Sequence, residues 1–115
     1  MIDSQPDWFK KALSVKKEQK IIEVEEGEIF YQHWGDKSKP GIVLVHGSGS
    51  HSHWWDFIAP QLLETFQVSA IDLSGMGESS HRGDYSPELY AKEILSVAED
   101  SGFFQVGKPI ICGHS

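Results

Sequence analysis

The chain has 115 residues, and its 10 lysine and arginine residues against 17 aspartate and glutamate residues give a formal net charge of −7 at pH 7. This acidic balance, without a basic block, excludes nucleic-acid binding as the expected function, because such binding depends on neutralising phosphates. The longest aliphatic run is Ile42 to Val45, and no long apolar stretch follows a basic start, so we expect a cytoplasmic protein without a membrane span. The single cysteine, Cys112, cannot form an internal disulfide, which fits a reducing compartment.

The first 46 residues contain patterns typical of a hairpin and a buried strand. Residues 1–19 predict a loosely docked arm or a short helix that opens at Pro6. In "KIIEVEEGEIFYQHWG", β-branched and aromatic residues alternate on both sides of "EEGE", which predicts a β-hairpin from residue 20 onward. The continuous apolar run in "IVLVHG" predicts a strand in the middle of a covered sheet.

The following segments predict a helix, a strand and a loop. Apolar spacing predicts a helix over "WWDFIAPQLLETF", kinked or delayed by Pro60, whose buried face contains Trp54, Phe57, Ile58, Leu62 and Phe66. "QVSAIDL" predicts the next strand. The glycine- and serine-rich stretch "SGMGESSHRGDYS" predicts a long loop.

A second helix is predicted over "SPELYAKEILSVAEDSG", where Ser86 can cap the first turn and Gly102 can end the last. Its buried face is expected to contain Leu89, Ile94, Val97 and Ala98. The final apolar run "KPIICG" predicts a last strand, with Cys112 as a small buried residue. The order hairpin, strand, helix, strand, helix, strand indicates an α/β fold with a mostly parallel sheet and flanking helices.

Two other functions suggested by the first glycine-rich loop are disfavoured. "HGSGSHS" follows a strand, as in dinucleotide-binding folds, but Ser52 occupies the third glycine position and bulky side chains crowd the helix entrance. His46, His51 and His53 are clustered, but neither cysteine partners nor a supporting carboxylate accompany them as zinc sites require. We therefore expect no cofactor and no metal.

Three ordered motifs resemble the α/β-hydrolase fold superfamily. They are "LVHGSGS" after the third predicted strand, "DLSGMGESS" after the fourth and "CGHS" after the fifth. The middle motif is similar to the family's Asp-x-x-Gly-x-Gly-x-Ser loop through Asp72, Gly75, Gly77 and Ser79. The resemblance covers residues 20–115 and implies the N-terminal portion of this fold, an incomplete core domain that stops at the nucleophile elbow.

The resemblance also implies the residues of the site. Ser115 lies in the first half of a Gly-x-Ser-x-Gly elbow and is the implied nucleophile, whereas the family's dehalogenases and epoxide hydrolases place aspartate there. The backbone N–H of Ser48 is implied as one oxyanion donor. Loop-shaping roles are implied for His46, Gly47, Asp72, Gly75, Gly77 and Gly113.

The implied activity is acyl transfer through an acyl-enzyme, on an ester, thioester, amide or carbon–carbon bond of a small molecule. The family supplies the acid and the histidine after the nucleophile, so we expect this chain alone to be inactive. A non-catalytic relative that binds a ligand or a partner is the alternative. The sequence is expected to be part of a longer chain, a natural truncation or one of two polypeptides, with a second chain or a C-terminal half completing the exposed edge of the sheet.

Overall fold

The computed structural model describes residues 16–46, 55–56 and 58–113. In that part of the chain, five strands form one sheet with the spatial order β1-β2-β4-β3-β5. Their bounds are Glu18–Val24 for β1, Gly27–Trp34 for β2, Gly41–Val45 for β3, Gln67–Ile71 for β4 and Ile110–Gly113 for β5. The helix α1 comprises Pro87–Asp100, and two short 3₁₀ segments comprise Ala59–Leu62 and Phe103–Val106. Most of the predicted N-terminal arm, residues 1–15, lies outside the described residues.

The predicted β-hairpin is confirmed, with β1 and β2 paired antiparallel. Val24 pairs with Gly27, so the turn between the strands has only two residues. These are Glu25 and Glu26, whose φ angles of 48° and 66° correspond to a type I′ turn. Asparagine and glycine are the usual residues in such a turn, and two glutamates there need support from elsewhere in the fold.

The predicted central strand is also confirmed. All five residues of β3 are buried, and this strand pairs in parallel with β4 on one side and with β5 on the other. Val45 is the last residue of β3, and it pairs with both Ile71 and Gly113. The carboxyl ends of β3, β4 and β5 therefore lie next to one another at one edge of the sheet.

A hydrophobic cluster covers each face of the sheet. On the face packed against α1, the cluster contains Tyr31, Val43, Ile71, Val97 and Phe103, among other residues. On the opposite face, it contains Trp34, Ile42, Leu44, Trp55 and Val68, among others. Neighbouring residues of β3 point to opposite faces, so the continuous apolar run of this strand supplies both clusters.

The boundaries of α1 follow the predicted signals. The Ser86 hydroxyl accepts a hydrogen bond from the backbone N–H of Leu89 at 3.1 Å, and the helix ends just before Ser101 and Gly102. Val97 and Ala98 are buried as expected, while the predicted core positions Leu89 and Ile94 are only half-buried. A position that was not predicted, Glu93, is fully buried on the same helix face.

Two predictions were wrong. In the described part of the segment 54–66, the chain forms 3₁₀ turns rather than an α-helix; its hydrogen bonds include i→i−3 pairs from Ile58 to Trp55 and from Leu63 to Pro60. Proline has no N–H to donate, so an α-helical ladder cannot run through Pro60. Cys112 is exposed rather than buried, because β5 is the outer strand of the five that the structure describes and, among these, pairs with β3 alone.

The outer strand β5 leaves apolar surface open, as expected for the last strand of this sequence. Within the described residues, Ile110 is 48% exposed and Ile111 is 45% exposed. No helix in the described ranges is long and apolar enough to cross a bilayer.

Candidate active site

The candidate site lies at the carboxyl edge of the parallel strands. His46 directly follows β3, Asp72 directly follows β4, and Gly113 is the last residue of β5. The register brings these three chain positions to one edge of the sheet, since Val45 is paired with both Ile71 and Gly113. Open parallel sheets bind their ligands outside this edge, where helix and loop entrances replace strand pairing.

Several of the predicted site residues fall outside the described part of the chain. They are the implied nucleophile Ser115, the implied oxyanion donor Ser48, and Gly47. Gly113 is described as an exposed residue at the end of β5. The geometry that follows concerns His46 and the loop that begins at Asp72.

His46 is buried, with 3% of its surface exposed, and it bridges two strand ends. Its Nε2 atom accepts a hydrogen bond of 3.1 Å from the backbone N–H of Leu73. A backbone N–H can only donate, so Nε2 carries no proton in this bond and the ring proton resides on Nδ1. His46 therefore connects the residue after β3 to the loop after β4 through a defined tautomer.

Asp72 and Ser79 close the loop that follows β4. One carboxylate oxygen of the fully buried Asp72 accepts the backbone N–H of Glu78 at 2.9 Å. The Ser79 hydroxyl donates to the Asp72 carbonyl at 2.5 Å and accepts the N–H of Phe30 at 2.9 Å. The loop is thus hydrogen-bonded to its own first residue and to β2. These bonds fix its position beside the carboxyl edge of the sheet.

The two glycines of this loop occupy backbone conformations that side chains rarely adopt. Gly75 has a φ of 83° and Gly77 a φ of 53°. A Cβ atom placed at Gly77 would lie 2.3 Å from an Asp72 carboxylate oxygen. The Asp-x-x-Gly-x-Gly-x-Ser spacing therefore has a steric basis here, because the carboxylate can reach the Glu78 N–H only past a residue without a side chain.

The other described histidines have different surroundings. His33 is buried, and its Nε2 lies 2.9 Å from the side-chain oxygen of Gln67. Burial lowers the pKa of His33, and this effect exceeds the opposite influence of the Gln67 hydrogen bond. His81 is exposed on the loop before α1. In the described ranges, no group of three or more histidine, cysteine or acidic residues is arranged to hold a metal ion.

One ion pair near the site was not predicted from the sequence. Glu93 is fully buried, and Arg82 donates to it through Nε at 3.0 Å. The available signal was its helical spacing, since Glu93 stands four residues after Leu89 and four before Val97, on the face expected to be buried. A carboxylate on such a face requires a cationic or hydrogen-bonding partner, which sequence spacing alone does not identify.

The region that contains the candidate site matches a known protein family. The model of the alpha/beta hydrolase family matches residues 42–115. The chain belongs to the alpha/beta hydrolase family. The resemblance inferred from the three ordered motifs is therefore confirmed, together with the fold that it implied.

Two curated proteins are similar to part of this chain. An uncharacterised protein of Mycobacterium tuberculosis is 38% identical over an alignment of 82 residues, which covers 68% of this chain and 22% of that protein. A pimeloyl-(acyl-carrier protein) methyl ester esterase of Methylococcus capsulatus is 41% identical over 58 residues, which are 50% of this chain and 23% of the esterase.

A solved structure with a similar fold is 2-hydroxy-6-oxo-6-phenylhexa-2,4-dienoate hydrolase from a Rhodococcus species, strain RHA1. It matches with a TM-score of 0.74 and 29% identity, over 89% of this chain and 38% of that one. The chain thus spans about a fifth to a quarter of the length of the two curated relatives and about two fifths of this hydrolase.

Proposed function

We propose that this chain supplies the nucleophile and one oxyanion donor of a serine hydrolase. Ser115 is the nucleophile, and the backbone N–H of Ser48 stabilises the oxyanion. The observation that carries the proposal is the pairing of Val45 with Gly113. It brings the end of β3 and the end of β5, two residues before Ser115, to the same edge of the sheet. Membership of the alpha/beta hydrolase family supports the same assignment.

The proposed reaction is acyl transfer. The Ser115 hydroxyl attacks the carbonyl carbon while a histidine base takes its proton, and the resulting oxyanion accepts hydrogen bonds from backbone N–H groups. The histidine then protonates the leaving group, which departs and leaves an acyl-enzyme. Water attacks this ester with help from the same base. The acid product is released, and the Ser115 hydroxyl is regenerated.

The described histidines are poorly suited to act as that base. His33 is buried and bonded to Gln67, and His46 uses Nε2 to accept the Leu73 N–H. His81 is exposed on a loop that precedes α1. The family places the acid and the histidine after the nucleophile, so we expect the isolated 115-residue chain to show no meaningful turnover.

The substrate class comprises small molecules with an ester, thioester, amide or activated carbon–carbon bond. The esterase relative acts on a methyl ester, as its name states, so an activated short-chain ester is the first substrate to test. We expect the full-length protein to hydrolyse such an ester and to lose this activity in the Ser115→Ala variant.

A fluorophosphonate probe tests the nucleophile directly, because it forms a covalent bond with an activated serine. We expect mass spectrometry to locate the label on Ser115 in the full-length protein, with no label in Ser115→Ala. A folded protein that hydrolyses no ester and is not labelled at Ser115 would instead indicate the non-catalytic, ligand-binding alternative. The isolated chain is the matched control, and ester turnover by it that disappears in Ser115→Ala would contradict our assignment of the base.

A further inference from the structure

Three consecutive backbone amides after β4 are bound by three different elements. The N–H of Asp72 donates to the carbonyl of Phe30 on β2 at 2.9 Å. The N–H of Leu73 donates to Nε2 of His46 at 3.1 Å. The N–H of Ser74 donates to the carboxylate of Glu93 on α1 at 2.9 Å. The start of this loop is therefore fixed by β2, by the end of β3 and by α1 together.

Glu93 is held in this position by Arg82. Its Oε1 accepts the Ser74 N–H, and its Oε2 accepts Nε–H of Arg82 at 3.0 Å. The Glu93 side chain is fully buried and that of Arg82 is 11% exposed. Since a buried carboxylate is stable only when it is paired and hydrogen-bonded, the position of Glu93 depends on the guanidinium.

Arg82 is in turn held by the β-hairpin turn. Its two terminal nitrogens donate to the carbonyls of Glu25 at 2.7 Å and of Val24 at 2.5 Å. Gly27 provides the space, because a Cβ atom there would lie 2.9 Å from the guanidinium carbon. The same contacts support the unusual glutamate turn, whose carbonyls receive charged donors.

We propose that Arg82 and Glu93 are positioning residues of the candidate active site, which hold the His46 ring through the backbone of Ser74 and Leu73. His46 immediately precedes Gly47 and the proposed oxyanion donor Ser48, so its ring fixes the start of that loop. This role in catalysis rests on the proposed function, whereas the coupling between Arg82 and the His46 ring does not. A contact network thus connects the hairpin turn to the carboxyl ends of β3 and β4, at the same edge of the sheet.

Two conservative variants of the full-length protein test the proposal. Arg82→Lys keeps the positive charge but loses the planar fork that binds Glu93 and two carbonyls at once. Glu93→Gln keeps the side-chain shape, but an NH₂ donor then replaces one of the two oxygens that accept from the Ser74 N–H and from Arg82. Lys92→Gln is the matched control, because Lys92 binds the same turn through the exposed Glu25 carboxylate at 2.6 Å.

The first readout is the pair of His46 ring nitrogens in ¹H–¹⁵N correlation spectra, which distinguishes a fixed Nδ1–H tautomer from an averaged one. We expect the parent and Lys92→Gln to show the fixed tautomer, and Arg82→Lys and Glu93→Gln to shift both nitrogens toward their average. The second readout is the rate of Ser115 phosphonylation, which we expect to fall about tenfold in the two test variants, because small misplacements at a reacting site have effects of this order or larger.

Each outcome has a separate meaning. Folded Arg82→Lys and Glu93→Gln proteins with parental His46 nitrogen shifts would show that the network does not hold the ring, and the proposal would be wrong. Shifted nitrogens with an unchanged phosphonylation rate would refute the positioning role at the site. Shifted nitrogens without Ser115 labelling, even in the parent, would uphold the coupling to His46 and overturn the proposed serine chemistry.

Discussion

Gly77→Ala is expected to destabilise the loop after β4 strongly. Gly77 has a φ of 53°, and a Cβ atom there would lie 2.3 Å from an Asp72 carboxylate oxygen, well inside van der Waals contact. The left-handed backbone costs a residue with a side chain about 1–2 kcal/mol. The displaced carboxylate also loses its 2.9 Å bond to the Glu78 N–H, which is a charge-assisted bond of about 1.5–3 kcal/mol.

Together these effects predict a loss of about 3 kcal/mol or more in the free energy of unfolding, a large part of the stability of a typical domain. Urea unfolding followed by tryptophan fluorescence measures this quantity for the parent and the variant. Gly83→Ala is the matched control, because Gly83 lies in the same loop and a Cβ atom there would have no described neighbour within 4 Å. We expect the control to change the free energy of unfolding by less than about 0.5 kcal/mol.

The reasoning would be refuted by a Gly77→Ala protein as stable as Gly83→Ala. Such a result would mean that Asp72 can leave the loop without cost, and the steric account of the glycine spacing would then be wrong. A large loss in both variants would point instead to a general need for backbone freedom in this loop.

Two further predictions concern stability. Burial lowers the pKa of His33 below the ordinary histidine value of about 6.5. Below that pH, His33 is protonated in the unfolded chain while it is still neutral in the folded protein. The free energy of unfolding should therefore fall as the pH drops from about 6.5 to the lowered pKa, and urea unfolding at several pH values should show a weaker dependence in His33→Gln. Ser86→Ala removes the hydroxyl that accepts the Leu89 N–H at the start of α1, and it should lower the free energy of unfolding by about 1 kcal/mol. Thermal unfolding measures this loss, with Ser96→Ala on the same helix as the control. Equal midpoints for the two variants would contradict the capping role.

Local patterns in the sequence were sufficient for several elements. The hairpin, the buried β3 and both ends of α1 depend on residues close together in the chain, such as the Ser86 cap and the glycine after the helix. The motif spacing from Asp72 to Ser79 also identified the loop whose bonds the structure describes. The assignments of Ser48 and Ser115 rest on family resemblance and remain predictions, since both residues lie outside the described ranges.

Two predictions made from apolar patterns were wrong. Apolar spacing predicted an α-helix around Pro60, but a ring without an N–H interrupts the ladder. Ile58 and Leu62 instead pack against the sheet from 3₁₀ turns. Cys112 lies in an apolar run, yet its exposure follows from the position of β5 at the sheet edge. The first error arose because apolar periodicity does not account for the missing N–H of Pro60, and the second because an apolar run does not reveal which surface covers it.

The sequence by itself determined the strand segments, the helix α1 and the family, because these are encoded in neighbouring residues and fixed spacings. Only the tertiary structure decided the strand order, the burial of Glu93 and the tautomer of His46. Each of these depends on partners far away in the chain: Arg82 and Ser74 for Glu93, and Leu73 for His46. A buried charge or a ring proton is placed by the donors that surround it, and those donors meet only when the sheet, the loop and the helix pack together.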